Sequence, residues 1–158
     1  PCEDDVELGP LSEEVLTDLA PLAENKGIAL NCAGDALVIG SDTLLYRLVF
    51  NLVENAIRYS RSGSTVNVSI CDNDSHVILR VKDEGPGIPK QYRESIFQPF
   101  FRLDKSRSRA YGGAGLGLAL VWEIAALHGG AVEVEASSEN GTTMLASLPK
   151  RSAALTEQ

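Results

Sequence analysis

Four glycines crowd the stretch AYGGAGLGLALV, at positions 112, 113, 115 and 117, and the chain then turns apolar as though entering a helix. Backbone N–H groups at a helix start can cradle phosphate oxygens. A Walker-type loop would end in a lysine and a hydroxyl, yet Leu118, Ala119 and Leu120 follow here. The spacing Gly113-x-Gly115-x-Gly117 is not the dinucleotide fingerprint either, and no acidic residue follows at the required distance on a strand. Positive charge is available just upstream, where Arg102, Lys105, Arg107 and Arg109 fall within eight residues. Such a segment suits a small, highly charged anion, with a divalent metal neutralising the remaining charge.

Two other stretches could do chemistry. In NLVENAIRYS, Asn51 and Asn55 are four apart and share a helix face, and Asn55 falls inside the apolar stripe between Leu44 and Leu48. A buried amide costs a few kcal/mol unless its hydrogen bonds are met. Nearby backbone would meet them, or the amide oxygen would face a cation in a cleft. Arg58 lies on the same flank and Tyr59 near the stripe. In VKDEGPGIP, Asp83 closes a strand, and Gly85 and Gly87 let the backbone turn sharply where a ligand could approach. A plain turn would use the same residues.

The elements that must position these residues are legible in outline. A helix is expected after the N-cap candidate Ser12, with Val15, Leu16, Leu19, Leu22 and Ala23 on one face, Pro21 as a possible kink and Gly27 as its stop. Short strands IALNC and ALVIG follow. Ser41 or Asp42 caps the clearest helix, DTLLYRLVFNLVENAIRYS. STVNVSIC and HVILRVKD read as a hairpin joined at DNDS. A short helix to about Phe97 precedes the basic stretch; GLALVWEIAALH is a helix ended by Gly129, and AVEVEAS and TMLASL are strands joined across SENG. This order predicts an α/β (α+β) two-layer sandwich of a mixed sheet and about three helices, not a Rossmann alternation.

The 158 residues suit one domain. Residues 1–10 read as linker, 11–150 as the domain and 151–158 as a flexible tail. With 14 basic and 22 acidic residues the chain carries −8, which argues against nucleic acid or an anionic membrane as partner. Cys2, Cys32 and Cys71 are odd in number and show no CxxC spacing, as expected of reduced cytoplasmic thiols. His76 begins a strand and reads as solvated; His128 ends a helix and reads as capping the negative end of its dipole.

Taken together, NLVENAIRYS, DEGPGIP, IFQPFFRLD and GGAGLGLALV, with HGG at His128–Gly130 and GTTMLASLP at Gly141–Pro149, resemble the ATP-binding catalytic domain of sensor histidine kinases. The likeness covers about residues 12 to 149. It implies the Bergerat-type fold shared with gyrase and heat-shock chaperone ATPases. It implies Mg²⁺ bound by Asn55 with Asn51 in support, Arg58 reaching toward phosphate, and Tyr59 flanking the nucleotide. Asp83 would accept a hydrogen bond from the adenine amine, with Gly85, Gly87 and Ile88 walling the base and Thr142 or Thr143 behind the carboxylate. Phe97, Phe100 and Phe101 would anchor the hinge of a lid over residues 102 to 114. Arg102 would approach the phosphates, and Gly113, Gly115, Leu116, Gly117 and Leu118 would border them.

The resemblance also implies two absences. The superfamily's ATPases carry a glutamate where this chain has Asn51, and an amide does not take a proton near neutral pH. Phosphoryl transfer is thus favoured over hydrolysis. Glu54 is better read as an i,i+4 partner for Arg58. Neither histidine has the context of the family's phosphoacceptor, so the partner is a separate dimerisation and histidine phosphoacceptor domain, with a response regulator downstream. A nucleotide-binding module without transfer, or an ATPase of the same superfamily, is the alternative.

Overall fold

The computed structural model describes residues 4–101 and 117–150. The chain runs β1 (Asp4–Glu7), α1 (Leu8–Lys26), β2 (Ala29–Gly34), β3 (Leu37–Gly40), α2 (Asp42–Tyr59), β4 (Thr65–Asp72) and β5 (His76–Lys82). Two single 3₁₀ turns follow, Lys90–Tyr92 and Ser95–Phe97, where one short helix was expected. The described chain resumes with α3 (Gly117–Leu127), β6 (Ala131–Ser138) and β7 (Gly141–Pro149). The tail 151–158 lies outside the described residues.

Five strands form one sheet in the order β2-β4-β5-β7-β6. β2 and β4 are parallel, joined by the long crossover that contains α2, and every other pairing is antiparallel. The mixed two-layer sandwich, with three α-helices among the described residues, is as the sequence predicts. Alternation explains why only one sheet face is covered. Val66, Val68 and Ile70 of β4, Val77, Leu79 and Val81 of β5, and Met144, Ala146 and Leu148 of β7 are buried on the helical side. Leu45, Leu48 and Leu52 of α2, Val15 and Leu19 of α1, and Ile124 of α3 complete that core. Between the buried positions, Asn67, Ser69 and Lys82 stay exposed on the open face, as expected of a sheet with one solvated side.

The N-terminal reading needs correction. Residues 4–7, expected to be linker, form β1, which pairs antiparallel with β3, and the helix begins at Leu8. Val6 and Leu8 are 3% and 1% exposed, so this segment belongs to the core. Ser12 is not the cap. The cap comes from the β2–β3 connection: Asp35 accepts from the Gly9 N–H at 2.6 Å, and the Ala36 carbonyl accepts from the Leu8 N–H at 3.0 Å. A Cβ on Gly9 would sit 2.8 Å from the Asp35 carboxyl, so the glycine makes room for its remote cap. The helix continues through Pro21 to Lys26, and Gly27 closes it at φ 76°, as expected. Ser41, not Asp42, caps α2, accepting from the Leu44 N–H at 3.2 Å.

Ser12 is fully buried inside α1, and its hydroxyl finds no hydrogen-bond partner among the described residues. A buried unsatisfied hydroxyl costs about 1–3 kcal/mol, and alanine is also the better helix former. Ser12→Ala is therefore expected to stabilise the chain by about 1 kcal/mol in urea unfolding. A loss of stability instead would mean that the hydroxyl is satisfied.

Candidate functional site

Asp83 follows the last residue of β5 and is 5% exposed. Its Oδ1 accepts two backbone N–H groups, from Gly85 at 2.9 Å and from Thr142 at 3.0 Å. The backbone pairs in return, the Asp83 N–H donating to the Thr142 carbonyl at 2.8 Å. Oδ2 makes no hydrogen bond among the described residues. Burial pushes the carboxyl pKa above its ordinary value, against the smaller opposing effect of the two N–H donors. The ionised side chain therefore keeps one unused acceptor in a low-dielectric recess, which suits a ligand donating a proton. Of the two candidate threonines it is Thr142 that holds the carboxylate.

The wall beside it is made of backbone in close approach. A Cβ on Gly85 would lie 2.4 Å from the Tyr59 carbonyl oxygen. One on Gly87, at φ 86°, would lie 2.2 Å from the Ser138 carbonyl. The Ile88 N–H donates to Ser137 Oγ at 2.8 Å, and that hydroxyl is 2.7 Å from Thr142 Oγ1. Arg93 ties the same loop down, donating to the carbonyls of Ile88 at 3.2 Å and Ser137 at 3.1 Å. Ser137 was not foreseen, for a definite reason. The register of β6 against β7 shifts between Val134 and Ala136, so an odd-numbered residue lands opposite Thr142. Strict alternation would have turned it away.

Across this wall stands the second half of α2. Asn51 is 8% exposed and its Nδ2 donates to the Gly117 carbonyl, at the start of α3, at 3.5 Å. So one donor of the Asn51 amide is met by nearby backbone. Asn55, one turn on, is half-buried and gains no hydrogen-bond partner from the described residues. It lies about 6 Å along the axis from Tyr59, whose carbonyl touches Gly85. Arg58 pairs with Glu54 at 3.3 Å, the expected i,i+4 bridge, on the exposed flank of that turn. Lys26 of α1 donates to the carbonyls of Ile57, at 3.0 Å, and Arg58, capping the end of α2. Ser60 Oγ accepts from the Glu84 N–H at 3.2 Å, and Arg61 reaches the carbonyls of Glu84 and Glu139 at 3.0 and 2.7 Å. Neither Lys26 nor Arg61 was foreseen, because their partners are backbone atoms remote in sequence.

The phenylalanine segment divides. Phe97 is buried and packs on Trp122 of α3 with ring centroids 5.5 Å apart, and Phe101 packs on Tyr92 at 5.6 Å. Phe100 finds no ring partner among the described residues: it is 68% exposed, on a left-handed backbone at φ 66°. Leu118 is half-buried against the core at the start of α3. Arg102, Gly113, Gly115 and Leu116, and the lid expected over 102 to 114, lie outside the described residues.

A groove of about 710 Å³ on the open face is lined by Asn31, Thr65, Asn67, Lys82 and Glu84, and it reaches Ser137, Ser138 and Gly141 at the edge of the Asp83 recess. Lys82 and Glu84 flank Asp83 and point to the opposite side of the sheet, so this open-face groove does not share the carboxylate. No cluster of three or more His, Cys, Asp or Glu side chains suited to a metal occurs among the described residues. Cys32 and Cys71 are free thiols. No described helix is long and apolar enough to cross a membrane.

Comparison with known proteins gives a concordant picture. Residues 40–152 match the family described as histidine kinase-, DNA gyrase B-, and HSP90-like ATPase. The sensor-like histidine kinase SenX3 of Mycolicibacterium smegmatis is 36% identical over 149 residues, covering 93% of this chain and 39% of that protein. The chain thus spans about two fifths of the length of this curated relative. Among solved structures, the mycobacterial sensor histidine kinase MprB aligns with a TM-score of 0.80 at 31% identity, covering 95% of this chain and 99% of that one. Full-length ShkA in complex with AMPPNP aligns with a TM-score of 0.83 at 28% identity, covering 96% and 32%. With the mixed sheet, the recessed Asp83 and the glycine wall already in place, the conclusion is direct: the chain belongs to the histidine kinase-, DNA gyrase B- and HSP90-like ATPase family, in its sensor histidine kinase branch.

Proposed function

We propose that this domain binds Mg²⁺–ATP between α2 and the Asp83–Ile88 loop and transfers the γ-phosphoryl group to a histidine on a separate dimerisation domain. The observation that carries the reading is Oδ2 of Asp83, which has no hydrogen-bond partner among the described residues, in a recess walled by glycines that leave no room for a Cβ. The exocyclic amine of adenine is the donor that fits it. Gly85, Gly87 and Ile88 line the base, Thr142 and Ser137 hold the carboxylate and the loop in place, and Tyr59 flanks the nucleotide. The complex of the related ShkA with AMPPNP supports this choice of ligand.

Asn55 is the metal residue in this reading, since its half-buried amide has no partner among the described residues one turn from Tyr59. A hard cation with several retained waters suits one amide oxygen and phosphate oxygens. When bound, Mg²⁺ supplies charge neutralisation at the phosphates. Arg58 adds positive charge on the same turn, Arg102 does so from the segment after Phe101, and the Gly113–Leu118 stretch borders the triphosphate. Transfer then depends on positioning and electrostatics more than on covalent chemistry. Asn51 has its amide on the Gly117 carbonyl and cannot act as a base for water, so a phosphoacceptor is the favoured recipient. The partners are the dimerisation and phosphoacceptor domain and a downstream response regulator, and the domain works on the cytoplasmic side.

Three outcomes test this. ATP is expected to bind about a hundredfold more tightly than GTP, because guanine sets a carbonyl against Asp83 and leaves a buried charge unpaired. Equal affinities in calorimetry would refute the base contact. Asp83→Asn should separate stability from binding. The raised carboxyl pKa means that the unfolded chain ionises first as pH rises, so folding stability declines above the ordinary carboxylate range. The amide does not titrate; it keeps an oxygen for the two N–H donors and turns an NH₂ toward the base. The empty variant is therefore expected to be at least as stable as the parent at pH 7 and to lose that pH dependence, while ATP affinity falls about tenfold or more. Asn55→Ala is expected to abolish the gain in ATP affinity on adding Mg²⁺ and to stop histidine phosphorylation when the acceptor domain is supplied; a persistent Mg²⁺ effect would remove Asn55 from the metal.

A further inference from the structure

His128, which follows α3, does more than cap a helix dipole. It is 9% exposed, and its two ring nitrogens have partners of opposite kind. Nδ1 lies 2.8 Å from the Ile124 carbonyl and must donate. Nε2 lies 3.1 Å from the backbone N–H of Ser41 and must accept. The pair of contacts selects the neutral tautomer protonated at Nδ1. The fold makes space for the ring: a Cβ on Gly40 would fall 2.4 Å from its Cδ2 and 2.6 Å from its Nε2. Ser41 is the N-cap of α2, so all three of its polar groups are engaged. Its N–H meets His128, its Oγ accepts from Leu44, and its carbonyl accepts from the Leu45 N–H at 2.8 Å.

The position of this contact matters because α2 and α3 are tied a second time, where Asn51 meets the Gly117 carbonyl. The helices run antiparallel, so the end of α3 meets the start of α2, and the start of α3 meets its middle. From Ser41 to Asn51 is ten residues, about 15 Å of helix, and from Gly117 to His128 is eleven, about 16 Å. Two ties with matched spans prevent α3 from sliding along α2 without breaking one of them. The Gly117 end is where the glycine stretch enters the helix, one turn from Asn55.

We propose that His128 is a positioning residue that sets the register of α3 on α2, and through it the placement of Gly117 and Leu118, which open α3 beside Asn51 at the phosphate end of the site. This rests on the ATP-binding reading above. The base recess is held separately, by Asp83, Thr142, Ser137 and Arg93, so loss of the tie acts on the phosphate end and spares the base end.

The test compares ATP with adenosine, which carries no phosphate, using the whole chain. His128→Phe fills the space without an acceptor. It is expected to weaken ATP binding about tenfold, the size of effect when a buried N–H loses its partner, with adenosine binding unchanged. His128→Gln, whose side-chain oxygen replaces Nε2 as acceptor, is expected to restore the ATP-to-adenosine ratio to within about twofold of the parent. Gly40→Ala keeps the histidine but displaces its ring, and should reproduce the selective loss. Equal weakening of both ligands, or a glutamine variant as impaired as phenylalanine, would overturn the proposal. A parent chain that binds adenosine but gains nothing from the phosphates would overturn it too, and a parent that binds neither ligand would remove the ATP reading itself.

Discussion

A carboxylate buried at the end of a central strand is the constraint on which the rest of this domain turns. Asp83 gives one oxygen to two backbone N–H groups, and those donors come from chain segments far apart in sequence, Gly85 and Thr142. Holding an ionised group there is unfavourable, as the upward push on its pKa shows. The surroundings therefore have to be specified closely. Gly141 sits with its Cβ position 2.1 Å from the Asp83 carbonyl, and Gly85 and Gly87 press on other carbonyls nearby. A recess built from backbone in contact with backbone is rigid, which is what the proposed choice of one base by shape and one donor by charge requires.

The facing wall is rigid for another reason. α2 is fixed at both ends by groups remote in sequence: His128 engages its Ser41 cap at the start, and Lys26 takes carbonyls of its last turn. A helix so fixed carries Asn51, Asn55 and Arg58 as one body. The turn that follows α2 and the turn that follows β5 are then sewn together by Ser60, Arg61 and Glu84, whose Oε2 accepts from the Thr65 N–H at 2.7 Å. The base recess and the amide-bearing turn are therefore kept at a set distance by short polar links, while the apolar core beneath supplies most of the stabilisation.

How much of this was legible before folding varies with the range of the interaction. α2 could be read almost to the residue, because its apolar period, its Ser41 cap and its Glu54–Arg58 pair are all local. The β4–β5 hairpin and the two final strands were readable from alternation and turn residues. Misreadings arose where the deciding partner is remote. Ser12 looked like a cap because Asp35, which sends its carboxylate to Gly9, lies 26 residues further on. Residues 4–7 looked like linker because their strand character depends on β3. Ser137 was not singled out because the bulge in β6 that brings it opposite Thr142 is decided by pairing with β7. Phe100 looked like part of an aromatic anchor, and it stands exposed on a left-handed backbone.

The sequence by itself determined the inventory: which residues could accept, donate or turn, the order of strands and helices, and the family whose motifs they compose. Those are properties of residue type and short spacing, which need no partner to be expressed. Only the tertiary structure decided which oxygen of Asp83 takes the two backbone donors, that Asn51 finds a partner while Asn55 finds none among the described residues, and that His128 joins two helices. Hydrogen bonds have a reach of about 3 Å, so their pairing is settled only when packing brings segments dozens of residues apart to that distance.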